Sequence, residues 1–194
     1  AKFTSASQLK VGQTVTVCGK LTAYKTTNEM GQGSKIISID GNGYSTGGNT
    51  PTTGAGVSIN GTTVTLLNSA ATVGTTTTTV DLSTLGLTDK APVTSVSLPD
   101  GSTVTFNTAK GTNQPVFYTA TKGVRVYANN TITFAGKAKI AKIVFTCDTY
   151  NNTAEVGNTT ATVTFDGNNA VYTNASTTAG TQLRVQTITV YYAK

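Results

Sequence analysis

Apolar and polar side chains alternate along most of this chain, and that pattern limits its folds more than anything else in it. The alternation runs through "TVTF" (103–106), "VRVY" (124–127), "TITF" (131–134), "KIVF" (142–145), "TVTF" (162–165) and "RVQTITV" (184–190). A period of two puts successive side chains on opposite faces, so each segment reads as a strand with one face buried. No segment keeps a helical i, i+3, i+4, i+7 pattern beyond a turn or two, except for a short helix expected at Leu82–Leu87. From Val80 onward the strands arrive at short intervals. Between them stand turn signals such as Pro99-Asp100-Gly101, Asn129-Asn130 and Gly167-Asn168-Asn169. Many short strands punctuated in this way are expected to form an antiparallel β-sandwich, jelly-roll-like, over residues 79–194.

Residues 1–78 read differently. Alternating strands around Thr14–Tyr24 and Lys35–Ile39 flank a polar connection that carries Gly31 and Gly33. "GNGYSTGGNTPTTGAG" then reads as a linker or long loop. In "GVSINGTTVTLL", Asn60-Gly61 between two alternating runs marks a hairpin, because both central positions of a type I′ turn need positive φ. The Thr run at 75–79 is expected to be an exposed extended strand. The fold class is therefore all-β throughout.

Threonine makes up roughly a fifth of the chain, well above ordinary usage. Its β-branched side chain suits a half-exposed pleated surface, while the abundant Gly and Asn supply turns. This is the composition of an extracellular or cell-surface β protein. The 14 Lys plus Arg outnumber the 8 Asp plus Glu, giving a net charge of +6. The basic residues are scattered, however, and only Lys137, Lys139 and Lys142 lie close together. A nucleic-acid stripe would be denser and interleaved with exposed aromatics, so no nucleic acid is expected as partner. No apolar run is long enough to cross a bilayer as a helix. The chain starts at Ala1 rather than Met, which reads as a processed or trimmed N-terminus. Cys18 and Cys147 lie outside any CxxC or Cys/His cluster and are expected to be unpaired thiols, with Cys147 buried in phase with Ile143 and Phe145.

Catalysis has little to work with. The chain contains no histidine, which removes the commonest general base and metal ligand together. Its acids (Glu29, Asp40, Asp81, Asp89, Asp100, Asp148, Glu155 and Asp166) fall mostly in expected turns or at strand ends. There is no D-x-D-x-D calcium loop, and Gly31-Gln32-Gly33 lacks the context of a phosphate loop. No catalytic residue, metal or cofactor is expected. The densest run of aromatic, basic and amide side chains is "NQPVFYTATKGVRVYANNTITF", residues 113–134. Phe117, Tyr118, Arg125, Tyr127 and Asn129 are its candidate glycan contacts, since Tyr rings stack on sugars and Arg and Asn bind hydroxyls. The alternative is that Arg125 and Tyr127 pack against cross-strand neighbours while the asparagines only turn the chain. The sequence favours that alternative.

The stretch from "DLSTLGLTDKAPVTSVSLPDGSTVTFN" through "KIAKIVFTC" to "RVQTITVYY" resembles a β-sandwich module of secreted and surface proteins of the Bacteroidetes. That module occurs beside lipoproteins, adhesins and polysaccharide-handling proteins. Here "VYTNAS" stands where the module usually carries a Trp-Thr-Gly-like stretch, and the chain has no Trp. "ASQLKVGQTVTVCGKLTAYKTTNEM" and "GSKIISIDG" are similar to the last strands of an OB-like domain, a partial β-barrel, that often precedes the module. The resemblance implies a non-enzymatic surface protein acting in adhesion or assembly, and an incomplete OB-like unit implies a strand donated from outside. The expected partner is then another copy or another surface protein, as in a strand-complemented filament. Donor candidates are "AKFTSASQ", the Thr run at 75–79 and "TITVYYAK". The alternative function is a carbohydrate-binding module of a polysaccharide-handling system, with a glycan as partner.

Overall fold

The computed structural model describes backbone pairing for strands within residues 15–43, and describes residues 56–150, 156, 160–178 and 180–194 in full. The chain divides into two compact units, Ala1–Thr50 and Pro51–Lys194. In the first unit, β1 (Val15–Cys18) pairs antiparallel with β4 (Lys35–Ile39), and β4 pairs with β5 (Asn42–Gly43). The intervening β2 (Leu21–Tyr24) and β3 (Thr27–Met30) form a separate hairpin. The polar connection expected after Tyr24 thus contains a strand.

The second unit is built from two antiparallel sheets. One has the order β15-β16-β13-β10-β9, from β9 (Ser95–Ser97), β10 (Thr103–Asn107), β13 (Thr131–Ala135), β15 (Ala161–Asp166) and β16 (Asn169–Asn174). The other contains β6 (Val57–Asn60), β7 (Thr63–Leu67), β8 (Val73–Asp81), β11 (Val116–Tyr118), β12 (Gly123–Tyr127), β14 (Ile140–Cys147) and β17 (Gln182–Ala193). Its order is β11-β12-β17-β14-β7-β6, with β8 also paired to β17. The twelve-residue β17 is the spine of this sheet. Along one flank β12 pairs with Gln182–Val185 and β8 with Thr187–Ala193, end to end, while β14 runs along the other flank.

Alternation produces the core directly. On β10, Val104 and Phe106 are buried and Thr103 and Thr105 exposed; on β14, Ile143 and Phe145 are buried between Lys142, Val144 and Thr146. The two inner faces meet at Phe145, which stacks on Phe134 at 6.0 Å between ring centroids and takes the edge of Tyr172 at 5.5 Å. Each ring is essentially inaccessible to solvent, and such pairs add to the area-driven stabilisation of the sandwich. Cys147 is buried in this layer as a free thiol, and burial raises its pKa strongly, so it is held protonated.

Four expectations are corrected. The β6–β7 hairpin forms, but β7 pairs with β14 and β8 with β17, so both belong to the sandwich rather than to a unit ending at residue 78. The turn also sits one residue later than Asn60-Gly61 suggests. Asn60 pairs with Thr63, leaving Gly61 (φ 57°) and Thr62 as the loop. Of the donor segments, the Thr run at 75–79 and residues 187–193 pair with each other within one chain, and "AKFTSASQ" lies outside the described residues. Leu82–Leu87 shortens to a 3₁₀ turn at Leu82–Thr84, capped by the Asp81 carboxylate, which accepts the Ser83 N–H at 2.9 Å. Among the described residues no helix is long and apolar enough to cross a membrane.

Candidate binding site

On β11 and β12 the outward positions are Val116 and Tyr118, and Arg125 and Tyr127, with Val116 directly opposite Arg125. The loop from Thr108 to Gln114 rises beside them. Together they enclose an open groove of about 530 Å³, lined by Thr108, Thr112, Asn113, Gln114, Val116, Tyr118 and Tyr127. Two phenol rings, two hydroxyls and two amides make this a polar lining with aromatic faces.

The loop is held in an unfavourable conformation by specific bonds. The Asn107 side chain accepts the Ala109 N–H at 2.6 Å, and Ala109 takes φ 47°, a left-handed value that costs an L-residue about 1–2 kcal/mol. At Gly111 an added Cβ would lie 2.5 Å from Asn130 Nδ2 and 2.6 Å from the Ala128 carbonyl oxygen, so only glycine fits. Asn130 is the anchor. It is fully buried; its Oδ1 accepts the Tyr127 N–H at 2.8 Å, and its Nδ2 donates to the carbonyls of Thr108 (3.1 Å) and Asn113 (2.9 Å). One side chain thus ties both ends of the groove loop to the strand that carries Tyr127. Asn174, also fully buried, supports it from the other sheet. Its N–H donates to the Asn130 carbonyl at 3.0 Å, and its Nδ2 to that of Val126 at 3.0 Å.

The outward face continues beyond the groove as a row of alternating rings and cations. The Arg125 guanidinium lies 3.6 Å from the Tyr118 ring centroid, and Arg184 lies 5.2 Å from that of Tyr150. Arg125 and Arg184 occupy directly opposed positions on β12 and β17. Arg184 also approaches Asp148 at 3.4 Å and donates to the Thr149 carbonyl at 3.1 Å. Burial raises the Tyr127 pKa, helped by the neighbouring Tyr118 hydroxyl and opposed by Arg125, so the phenol stays neutral and able to donate.

Of the sequence candidates, Tyr118 and Tyr127 line this groove, and Arg125 stacks on the Tyr118 ring at its border without being among the lining residues. Phe117 does neither. It is only 4% exposed and points into the core, because β11 alternates and places Val116 and Tyr118 outward. Asn129 is exposed at the β12–β13 turn with φ 62°; its N–H donates to the Asn174 carbonyl, and it is not among the groove-lining residues. Thr108, Thr112 and Arg184 have no such sequence signal beyond the out-of-phase Arg in "LRVQTITV", and Asn130 reads from sequence only as a turn residue beside Asn129. Two further acids of the sandwich have structural partners nearby. Asp89 accepts the Thr119 N–H, and Asp100 binds Ser102 and Tyr192. Among the described residues no group of three or more His, Cys, Asp or Glu could hold a metal. Comparison with known proteins adds no relative: no family model matches this chain, nor does any curated protein or solved structure.

Proposed function

We propose that this chain is a non-catalytic adhesion module of the cell surface or extracellular space, and that it holds a carbohydrate in the Tyr118–Tyr127 groove. The groove itself supports this reading. It has the size of a small-ligand site, and it presents two tyrosine rings among hydroxyl and amide groups, the chemistry that suits a sugar's apolar faces and its hydroxyls. Its loop is pinned by buried bonds, so little ordering remains to be done on binding. No carboxylate lines it, which favours holding a glycan over cleaving one. The test is titration with a panel of soluble oligosaccharides. Tyr127→Ala should weaken binding by about 1–2 kcal/mol while leaving the melting temperature nearly unchanged. A large loss of stability with binding untouched would make the strip purely structural.

Self-assembly is the second reading. Its support is the first unit's strand arrangement, in which β1 pairs with β4 alone among the described residues; an open flank there would be an edge that a strand from another copy could extend. Light scattering across a wide concentration range tests it. A particle that stays monomeric and forms no fibres would sink it.

A further inference from the structure

The sheet face bordering the groove carries a charge feature that neutral-sugar binding leaves unexplained. Arg125 and Arg184 stand directly opposite each other on adjacent strands, a placement in which like charges repel. Among the described residues the one ion pair within 4 Å is Asp148–Arg184, and Arg125 makes none. Both Nε atoms are buried without a hydrogen-bond partner, and so is Oε1 of Gln182, which lies opposite Tyr127 in the same register. Three buried polar atoms without a partner, within two neighbouring cross-strand pairs, mark a site whose electrostatics are incomplete in the protein alone.

We infer that the groove selects acidic saccharides, with a carboxylate or sulfate group of the sugar facing the Arg125 guanidinium. This rests on the carbohydrate reading and narrows it. Arg125 does not itself line the groove but borders it, opposite Val116 and with its guanidinium against the ring of Tyr118, both of which do. The Tyr118 ring fixes the guanidinium plane, leaving its edge to bind an anion through paired N–H donors, which is where Arg differs from Lys. The exposed Lys110 adds positive potential from the loop, whereas Arg184 is paired with Asp148. A neutral hexose would fill the same volume but leave Arg125 without a counter-charge.

The experiment is calorimetric titration of the whole chain with matched probes: oligogalacturonate and its methyl ester, dextran sulfate and dextran, and oligothymidylate as a polyanion without sugar acids. The expected result is at least tenfold tighter binding of an acidic form than of its neutral counterpart. Which pair shows the gap assigns carboxylate or sulfate. Arg125→Lys, which keeps the charge and most of the stem, should lose at least tenfold, while Lys137→Ala should change affinity less than twofold. Arg125→Gln, with its melting temperature measured alongside, separates lost recognition from lost fold. Equal binding of acidic and neutral forms, indifferent to Arg125, overturns the inference and leaves the carbohydrate reading standing. No binding of any probe overturns both. Oligothymidylate binding as tight as the acidic sugars, weakened alike by Arg125→Lys and Lys137→Ala, would reduce the effect to general surface charge and overturn the inference.

Discussion

Replacing Asn130 by Ala tests whether one buried amide builds the groove. The substitution deletes three hydrogen bonds, to the Tyr127 N–H and to the carbonyls of Thr108 and Asn113. A typical net contribution is about 1 kcal/mol per bond, which sums to about 3 kcal/mol. The three partners will not respond alike. Asn113 is exposed and Thr108 partly so, and both carbonyls can turn to water at small cost. The Tyr127 N–H lies under a side chain fully shielded from solvent and is left without a partner, at about 1–3 kcal/mol. The expected loss is therefore about 2–4 kcal/mol, or on the order of 10 °C in melting temperature for a sandwich of this size. Denaturant unfolding measures the total, and hydrogen exchange at the Tyr127 amide localises it. Glycan affinity should fall as well, because the Thr108–Gln114 loop loses its anchor. Asn130→Asp should be worse at neutral pH, since a carboxylate would face two carbonyl oxygens. Its folded-state pKa would be raised, so part of the loss should return as pH falls towards the ordinary carboxylate value. A stability change below about 0.5 kcal/mol for Asn130→Ala, with Tyr127 still protected, would refute this account.

Phe145→Ala empties the contact between the sheets and should cost about 3–5 kcal/mol in chemical denaturation, since the ring packs against both Phe134 and Tyr172. Burial pushes the Asp100 pKa up, but bonds from Tyr192 and Ser102 outweigh it and leave the pKa lowered. Asp100 therefore contributes stability above its ordinary pKa of 3.8, which is lost as pH falls through the lower folded value. Burial, and then Asp100, raise the Tyr192 pKa, so its contribution is full below 10.0 and lost as pH climbs through the raised value. Tyr192→Phe should flatten the alkaline limb of a stability–pH curve and cost about 1–3 kcal/mol between the limbs. The Cys147 thiol is buried and held protonated, so it should react with a thiol reagent only as fast as the sandwich opens. Rapid modification of a chain whose Cys18 is replaced by Ser would contradict this.

The strands of the sandwich were legible because Val104, Phe106, Ile132 and Val185 each sit between polar neighbours, and period two needs no knowledge of the partner strand. Partnership was not legible. Nothing in "GVSINGTTVTLL" says that Thr65 will lie opposite Val144, so the hairpin was assigned to the wrong unit. Phe117 was misplaced because Val116, Phe117 and Tyr118 are all bulky, and three such residues in a row give alternation no phase. Tyr118, Arg125 and Tyr127 could be found because they lie on two strands joined by a short connection. The loop side of the groove depends on Asn130 reaching back to carbonyls far upstream in the chain. The Arg125–Arg184 pair joins residues from distant strands. Neither leaves a local trace.

The position of β17 also bears on how the sandwich is made. The strand that borders β8, β12 and β14 together follows all of them in sequence. Until residues 182–193 are present, three strands of the larger sheet lack their shared neighbour, and β8 and β12 have no common template to align them. A chain emerging N-terminus first can form the local hairpins β6–β7 and β11–β12 early, but the sheet must wait for its final strand. During that wait the Thr-rich edge of β8 is unpaired but polar, so threonine there limits the chance that a half-made sheet recruits a neighbour's strand.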